Sequence, residues 1–149
     1  MACGYIVLYL ARQLFATGRR MRCMVSASVL HMCLNVADAA ESIAFYEQFG
    51  FEESWQFTTP DGETTNYYVA DDSGVELQLS ETEGETSFEM GSGWDHLALG
   101  VDDVDATVER IDHHGVVKEP GPQPEAGAYT AFVADPDGHH VELIEPLED

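Results

Sequence analysis

Apolar and polar residues alternate with a period of two over residues 29–36. Leu30, Met32, Leu34 and Val36 fall on one face of a strand, and His31, Cys33 and Asn35 on the other. The period then changes. Ile43, Ala44, Phe45, Tyr46 and Phe49 gather on one side of a helix over 39–49, and Gly50 stops it. Alternation returns and predicts strands near 51–59, 64–71 and 75–81, with Pro60-Asp61-Gly62 as the turn between the first two. The same order recurs downstream: strands near 94–101, 116–119, 128–135 and 140–145, with a helix at 103–114 after the first of them. Residues 119–127 are rich in Pro and Gly and read as loop.

The recurrence is visible in the letters themselves. Leu34-Asn35-Val36-Ala37-Asp38 returns 65 residues later as Leu99-Gly100-Val101-Asp102-Asp103. Val69-Ala70-Asp71, then Gly74-Val75-Glu76-Leu77, returns as Val133-Ala134-Asp135, then Gly138 and Val141-Glu142-Leu143. Such self-similarity implies two copies of one supersecondary unit. Each copy reads as strand, helix and three strands, so the fold class is α+β with two tandem βαβββ modules, at 29–86 and 94–147. A chain of 149 residues holds these as one domain, spanning 24–149.

Residues 1–23 differ from that body. They carry Arg12, Arg19, Arg20 and Arg22 and no Asp or Glu. A targeting segment, a membrane-surface anchor built on Tyr5–Leu10, and a mis-assigned start with translation beginning at Met24 are the three readings, and the last is favoured. Charge bounds function. Twenty-eight acidic residues face six basic ones, for a net charge of -22, and the body keeps only Arg110 and Lys118 as cations. Nucleic acid and anionic membranes are poor partners for such a surface. It suits a salt-rich cytoplasm, where screening relieves self-repulsion, and points to a halophilic source. Cys3, Cys23 and Cys33 form no disulfide pattern, which fits a reducing cytoplasm.

Strand parity brings out four residues. With Leu34 and Val36 turned to the helix, His31 lies opposite; with Val75 and Leu77 inward, Glu76 lies opposite. In the second copy His96 lies opposite Leu97 and Leu99, and Glu142 opposite Val141 and Leu143. Two His and two Glu thus occupy matching places on the non-helix faces, and sheets curled toward each other would make them converge. Two carboxylates brought together repel unless a cation joins them. The donor set suits nickel, cobalt, zinc, manganese or iron, and it lacks the thiolates of a structural zinc site.

The stretches His31-Met-Cys-Leu-Asn-Val, Val75-Glu76-Leu77, Asp95-His96-Leu-Ala-Leu and Asp135-Pro-Asp-Gly138 with Val141-Glu142-Leu-Ile-Glu145 resemble the glyoxalase I branch of the vicinal oxygen chelate superfamily. The resemblance covers nearly all of 29–147. It implies a half-barrel around one divalent metal held by His31, Glu76, His96 and Glu142, and a homodimer, often with each site built from both chains. It implies isomerisation of the hemithioacetal of methylglyoxal and a thiol to a D-lactoyl thioester. Glu142 is then the main base and Glu76 serves the opposite face. The short body resembles nickel- or cobalt-preferring members, with zinc also compatible. Glu76 argues against a dioxygenase, which would leave it idle. A CoA-thioester epimerase and a non-catalytic drug-binding resistance protein are rival functions within the same superfamily.

Thiol recognition departs from the family. Position 35 is Asn and not Arg, and the loop Gly121–Gly127 has no cation. Asn35, Lys118 and Trp94 are the expected substrate contacts, helped by backbone N–H groups of that loop. So few cations favour a thiol smaller than glutathione, such as γ-glutamylcysteine. His113 and His114 are expected to end the second helix, and His139 and His140 to face solvent in a turn.

Overall fold

The computed structural model describes residues 28–146. The expectations for the extension 1–23, for Cys3 and Cys23, for a start at Met24 and for the end of the second module at 147 lie outside the described residues.

The first module runs β1 (His31–Val36), α1 (Ala39–Glu47), β2 (Glu52–Thr58), β3 (Thr64–Ala70) and β4 (Glu76–Thr82). The second runs β5 (Leu97–Gly100), α2 (Val104–Arg110), β6 (Val116–Gln123), β7 (Ala128–Ala134) and β8 (His140–Pro146). This is the βαβββ order read from the alternation. The strand orders are β1-β4-β3-β2 and β5-β8-β7-β6, and the pairs β1/β4 and β5/β8, at one end of each sheet, are parallel. Each helix starts on an aspartate whose carboxylate takes up free N–H groups: Asp38 accepts from Ala40 and Glu41, and Asp103 from Ala106. Gly50 follows α1 with φ +87°, a conformation that costs other residues a Cβ clash. No helix among the described residues is long and apolar enough to cross a membrane.

Parity decides the core. Leu34 and Val36 of β1, Leu77 and Leu79 of β4, Ala131 and Val133 of β7, and Val141 and Leu143 of β8 join one buried cluster with Phe45 and Tyr46 of α1. Each sheet therefore turns one face to a shared interior and the other away from it.

A polar clasp ties the modules together. The turn after β7 buries Asp135, which accepts from the Tyr46 hydroxyl at 3.0 Å and lies 2.8 Å from His139 Nδ1. Asp137 accepts from the Ala37 N–H at 3.0 Å and the Ser42 hydroxyl at 3.4 Å. Without these partners, a buried carboxylate would be costly.

Four local expectations are corrected. Residues 119–123 are not loop: β6 continues to Gln123 through Pro120 and Pro122, and Pro124–Ala126 form a 3-10 turn. Proline removes a ladder donor, but β6 is an edge strand and its pairing with β7 shifts register twice, so few ladder bonds are lost. The second helix ends at Arg110, ahead of His113 and His114. The chain there is captured by other partners, with Asp112 N–H bonded to Gln48 and His114 N–H to the Ala134 carbonyl. His139 is buried against Asp135 and does not face solvent, whereas His140 is exposed. Leu30 precedes β1 and is 69% exposed, so it packs on no helix.

Candidate metal centre

In the first module, burial of Leu34, Val36, Leu77 and Leu79 leaves His31 and Glu76 on the outer face. The two are direct partners in the parallel β1/β4 ladder, so their side chains emerge side by side. They border an open cleft of about 590 Å³ with Leu30, Trp55, Tyr68 and Ala70. Tyr68 meets the His31 ring edge-on, with centroids 5.5 Å apart, and stacks under Trp55 at 4.1 Å. Its hydroxyl donates to Gln78 Oε1 at 2.9 Å, and Gln78 Nε2 donates to Asn66 Oδ1 at 2.6 Å. Loss of surrounding water, with the charges of Cys33 and Glu76, holds the Tyr68 phenol above its ordinary pKa. The Ser54 hydroxyl donates to Glu76 Oε1 at 2.8 Å.

In the second module, His96 lies one residue before β5 and Glu142 in β8. His96 Nε2 is 3.1 Å from Glu142 Oε2, and His96 Nδ1 contacts the Asp95 carboxylate. An N–H on Nδ1 directed at Asp95 leaves a lone pair on Nε2, facing a carboxylate oxygen. Two acceptors at that distance need a cation, either a proton on the ring or a metal ion. The carboxylate behind a ligating imidazole is also the usual way its orientation and basicity are set. Ala98, Glu142, Phe132 and Lys118 form one transverse row across the sheet by ladder register. Lys118 reaches over the Phe132 ring, 5.5 Å from its centroid, and donates to Thr130 Oγ1 at 2.9 Å. Phe132 meets His96 edge-on at 5.2 Å.

The structure brings His31 to Glu76 and His96 to Glu142. It does not bring the two pairs together. Each lies on the face of its sheet turned from the shared core, and among the described residues no group of three or more His, Cys, Asp or Glu is placed to hold one ion. The convergence expected from curling the sheets does not occur within one chain: each sheet packs its apolar face on the helix of its own module, and the ligand-bearing faces stay apart. Asn35 is exposed on β1, two alternations beyond His31 on the same face. Trp94 lies in the irregular segment before His96, 36% exposed, and borders neither cleft. Lys118 is linked to the His96–Glu142 pair through Phe132. Another cleft of about 450 Å³ opens between α2 and the end of α1, and none of the four candidate ligands lines it.

Sequence reasoning missed Ser54, Tyr68, Trp55 and Asp95. Asp95 was open to detection, since it directly precedes a candidate ligand. Ser54 was not, because its position depends on a strand irregularity. In the β2/β3 ladder the register slips between Glu53 and Trp55, so Ser54 and Trp55 both stand opposite Tyr68.

Comparison with known proteins bears on this geometry. Residues 28–143 match the family described as Glyoxalase/Bleomycin resistance protein/Dioxygenase superfamily. The lactoylglutathione lyase of Haemophilus influenzae is 34% identical over 123 residues, which cover 78% of this chain and 91% of that protein. The crystal structure of glyoxalase I from Zea mays superimposes with a TM-score of 0.71 at 29% identity, over 80% of this chain. This chain spans 45% of the length of the maize chain. The trypanothione-dependent glyoxalase I of Leishmania major superimposes with a TM-score of 0.67 at 31% identity, over 80% of this chain and 87% of that one.

Proposed function

The chain belongs to the Glyoxalase/Bleomycin resistance protein/Dioxygenase superfamily and is a glyoxalase I-like enzyme, and from that premise we propose that it isomerises the hemithioacetal of methylglyoxal and a small thiol to a D-lactoyl thioester. The observation that carries the reading is the pairing of one imidazole with one carboxylate on each sheet, at His31–Glu76 and His96–Glu142.

The active unit is a homodimer in which the outer face of one first module meets the outer face of the partner's second module. Two arguments support this. The two pairs are complementary halves of a four-ligand set, yet among the described residues of a single chain they do not come together around one ion. Leu30, Trp55 and Phe57, all large and apolar, are 69%, 48% and 41% exposed around the first half, a surface that calls for a cover. Crossing the halves gives two equivalent sites per dimer, as a two-fold axis requires.

His31, Glu76, His96 and Glu142 would hold one divalent ion, with nickel or cobalt preferred. A bound ion supplies Lewis-acid stabilisation of the negative charge that develops on the substrate oxygens. The protein's own groups do the rest. Glu142 takes the carbon-bound proton and returns it to the neighbouring carbon, while Asp95 keeps the His96 ring oriented beside it. Glu76 serves the other substrate face. Lys118, the cation in the row of Glu142, meets the carboxylate of the thiol moiety, and Asn35 extends the face beyond His31.

Turnover of hemithioacetals of methylglyoxal by the purified full chain, with nickel, cobalt or zinc added, tests the reading. Glu142→Gln keeps an oxygen donor but loses the proton acceptor, so turnover should fall at least about 100-fold, the usual range for a general base. Near wild-type turnover in that variant would remove Glu142 as the base.

A further inference from the structure

We propose that Ser54 is a positioning residue for Glu76, and that the bulge in β2 exists to deliver its hydroxyl there. The inference deepens the reading above and rests on Glu76 belonging to that site.

Ser54 lies on an edge strand and Glu76 two strands away, with β3 between them. Side chains on outer and third strands do not ordinarily touch, since neighbouring strands lie about 4.8 Å apart. Two local features close the gap. The ladder partner of Glu76 on β3 is Ala70, whose methyl leaves room above the middle strand. The bulge places Ser54 opposite Tyr68 together with Trp55, so two consecutive residues project on the ligand side. Trp55 uses its place to stack on Tyr68, and Ser54 uses its place to reach Glu76 Oε1 at 2.8 Å.

The hydroxyl also lies 3.2 Å from the Tyr68 carbonyl. It has one proton for two acceptors, and the shorter contact to the charged carboxylate takes it. The bulged backbone then fixes where the hydroxyl stands, and the hydroxyl fixes the carboxylate. With Oε1 engaged, a three-torsion side chain on an open surface is held in one orientation, and Oε2 is left for an ion or a substrate proton. A partner behind a ligating carboxylate is typically worth about 10–100-fold in metal affinity or activity.

The test uses the full-length dimer and cobalt as the probe, read by equilibrium binding and by the visible absorption of the bound ion. Ser54→Ala should weaken cobalt binding about 10-fold or more and change the ligand-field spectrum, with melting temperature and dimerisation kept. Ser54→Val, which matches threonine in shape but has no donor, should do the same, so a folding defect peculiar to alanine does not decide the matter. Ser54→Thr, which keeps the hydroxyl, should restore both readouts. On a Glu76→Gln background Ser54→Ala should add no further loss, because its effect passes through that carboxylate.

Unchanged cobalt affinity and spectrum in Ser54→Ala, with Glu76→Gln defective, would overturn this inference alone. Full additivity with Glu76→Gln would overturn it too. A silent Glu76→Gln would instead remove Glu76 from the site, and the inference with it.

Discussion

Crossing two disabled chains gives a quantitative test of the shared site. Let one chain carry His31→Ala and Glu76→Gln, and the other His96→Ala and Glu142→Gln. In the proposed dimer each site takes its first half from one subunit and its second half from the partner. Either variant alone forms homodimers whose two sites are both broken, so neither turns over substrate or holds metal. A heterodimer concentrates all four substitutions in one site. The other site receives His31 and Glu76 from the second chain and His96 and Glu142 from the first, and is intact. Heterodimers isolated through two different affinity tags should therefore show about half the wild-type specific activity and half its metal content. Random reassociation of equal amounts makes half of all dimers mixed, so the unfractionated mixture should recover about one quarter. The assay is thioester formation from the methylglyoxal hemithioacetal, with metal content measured on the same samples. An inactive isolated heterodimer that binds no metal would refute the shared site. Activity in either homodimer would refute the ligand set.

Tyr46→Phe removes the hydroxyl that meets buried Asp135 and leaves the ring packing intact, so it should cost about 1.5–3 kcal/mol by urea denaturation, as for a hydrogen bond to a charged group. Burial and the Asp135 charge hold the Tyr46 phenol well above its ordinary value of 10.0. Its contribution is thus fully present below about pH 10, where unfolded tyrosine starts to ionise, and declines above it; a wild-type-minus-variant gap that widened above pH 10 would contradict this. Lys118→Ala should raise KM more than it lowers kcat, as expected for a group that binds ground and transition states alike, and steady-state kinetics will separate the two. Because Arg110 and Lys118 are the body's only cations, the γ-glutamylcysteine adduct should show a higher kcat/KM than the glutathione adduct; a clear glutathione preference with Lys118→Ala silent would show that other groups grip the thiol.

Much of this architecture is written in periodicity. The strands β1, β4 and β8 each bury one face, so alternation and side-chain direction carry the same message, and Leu34, Leu77, Val141 and Leu143 are inside as read. The same alternation put His31 with Glu76 and His96 with Glu142. What it could not give is which way a sheet faces. Parity says that His31 and Leu34 oppose each other, not whether the two ligand-bearing faces meet within a chain or across a dimer. Pro120 and Pro122 misled because proline excludes a strand only where its N–H is needed, and that depends on edge position. His139 misled because its environment is Asp135 and the distant Tyr46, and no local pattern announces a buried acid. Ser54 lay beyond reach for a similar reason: one slipped residue changes which neighbours a side chain meets, and Glu53-Ser54-Trp55 is compatible with either register.

The clasp between the modules exists on one side only. Repeat spacing pairs Tyr46 with Ile111 and Asp135 with Asp71, so an evenly built duplicate would close a second latch between the first module's turn and α2. Instead the Asp71 carboxylate accepts from Ser73 within its own turn, and the 450 Å³ cleft lined by Asp71, Arg110 and Ile111 occupies that place. Helix α1 buries Ala39, Ser42, Phe45 and Tyr46, whereas α2 buries Val104 alone. The twin halves are therefore unequal in their local opening free energies, and amide exchange should reach α2 before α1. Thermal fluctuation then has a preferred point of entry into this molecule, at the open junction where α2 covers β7 and β8.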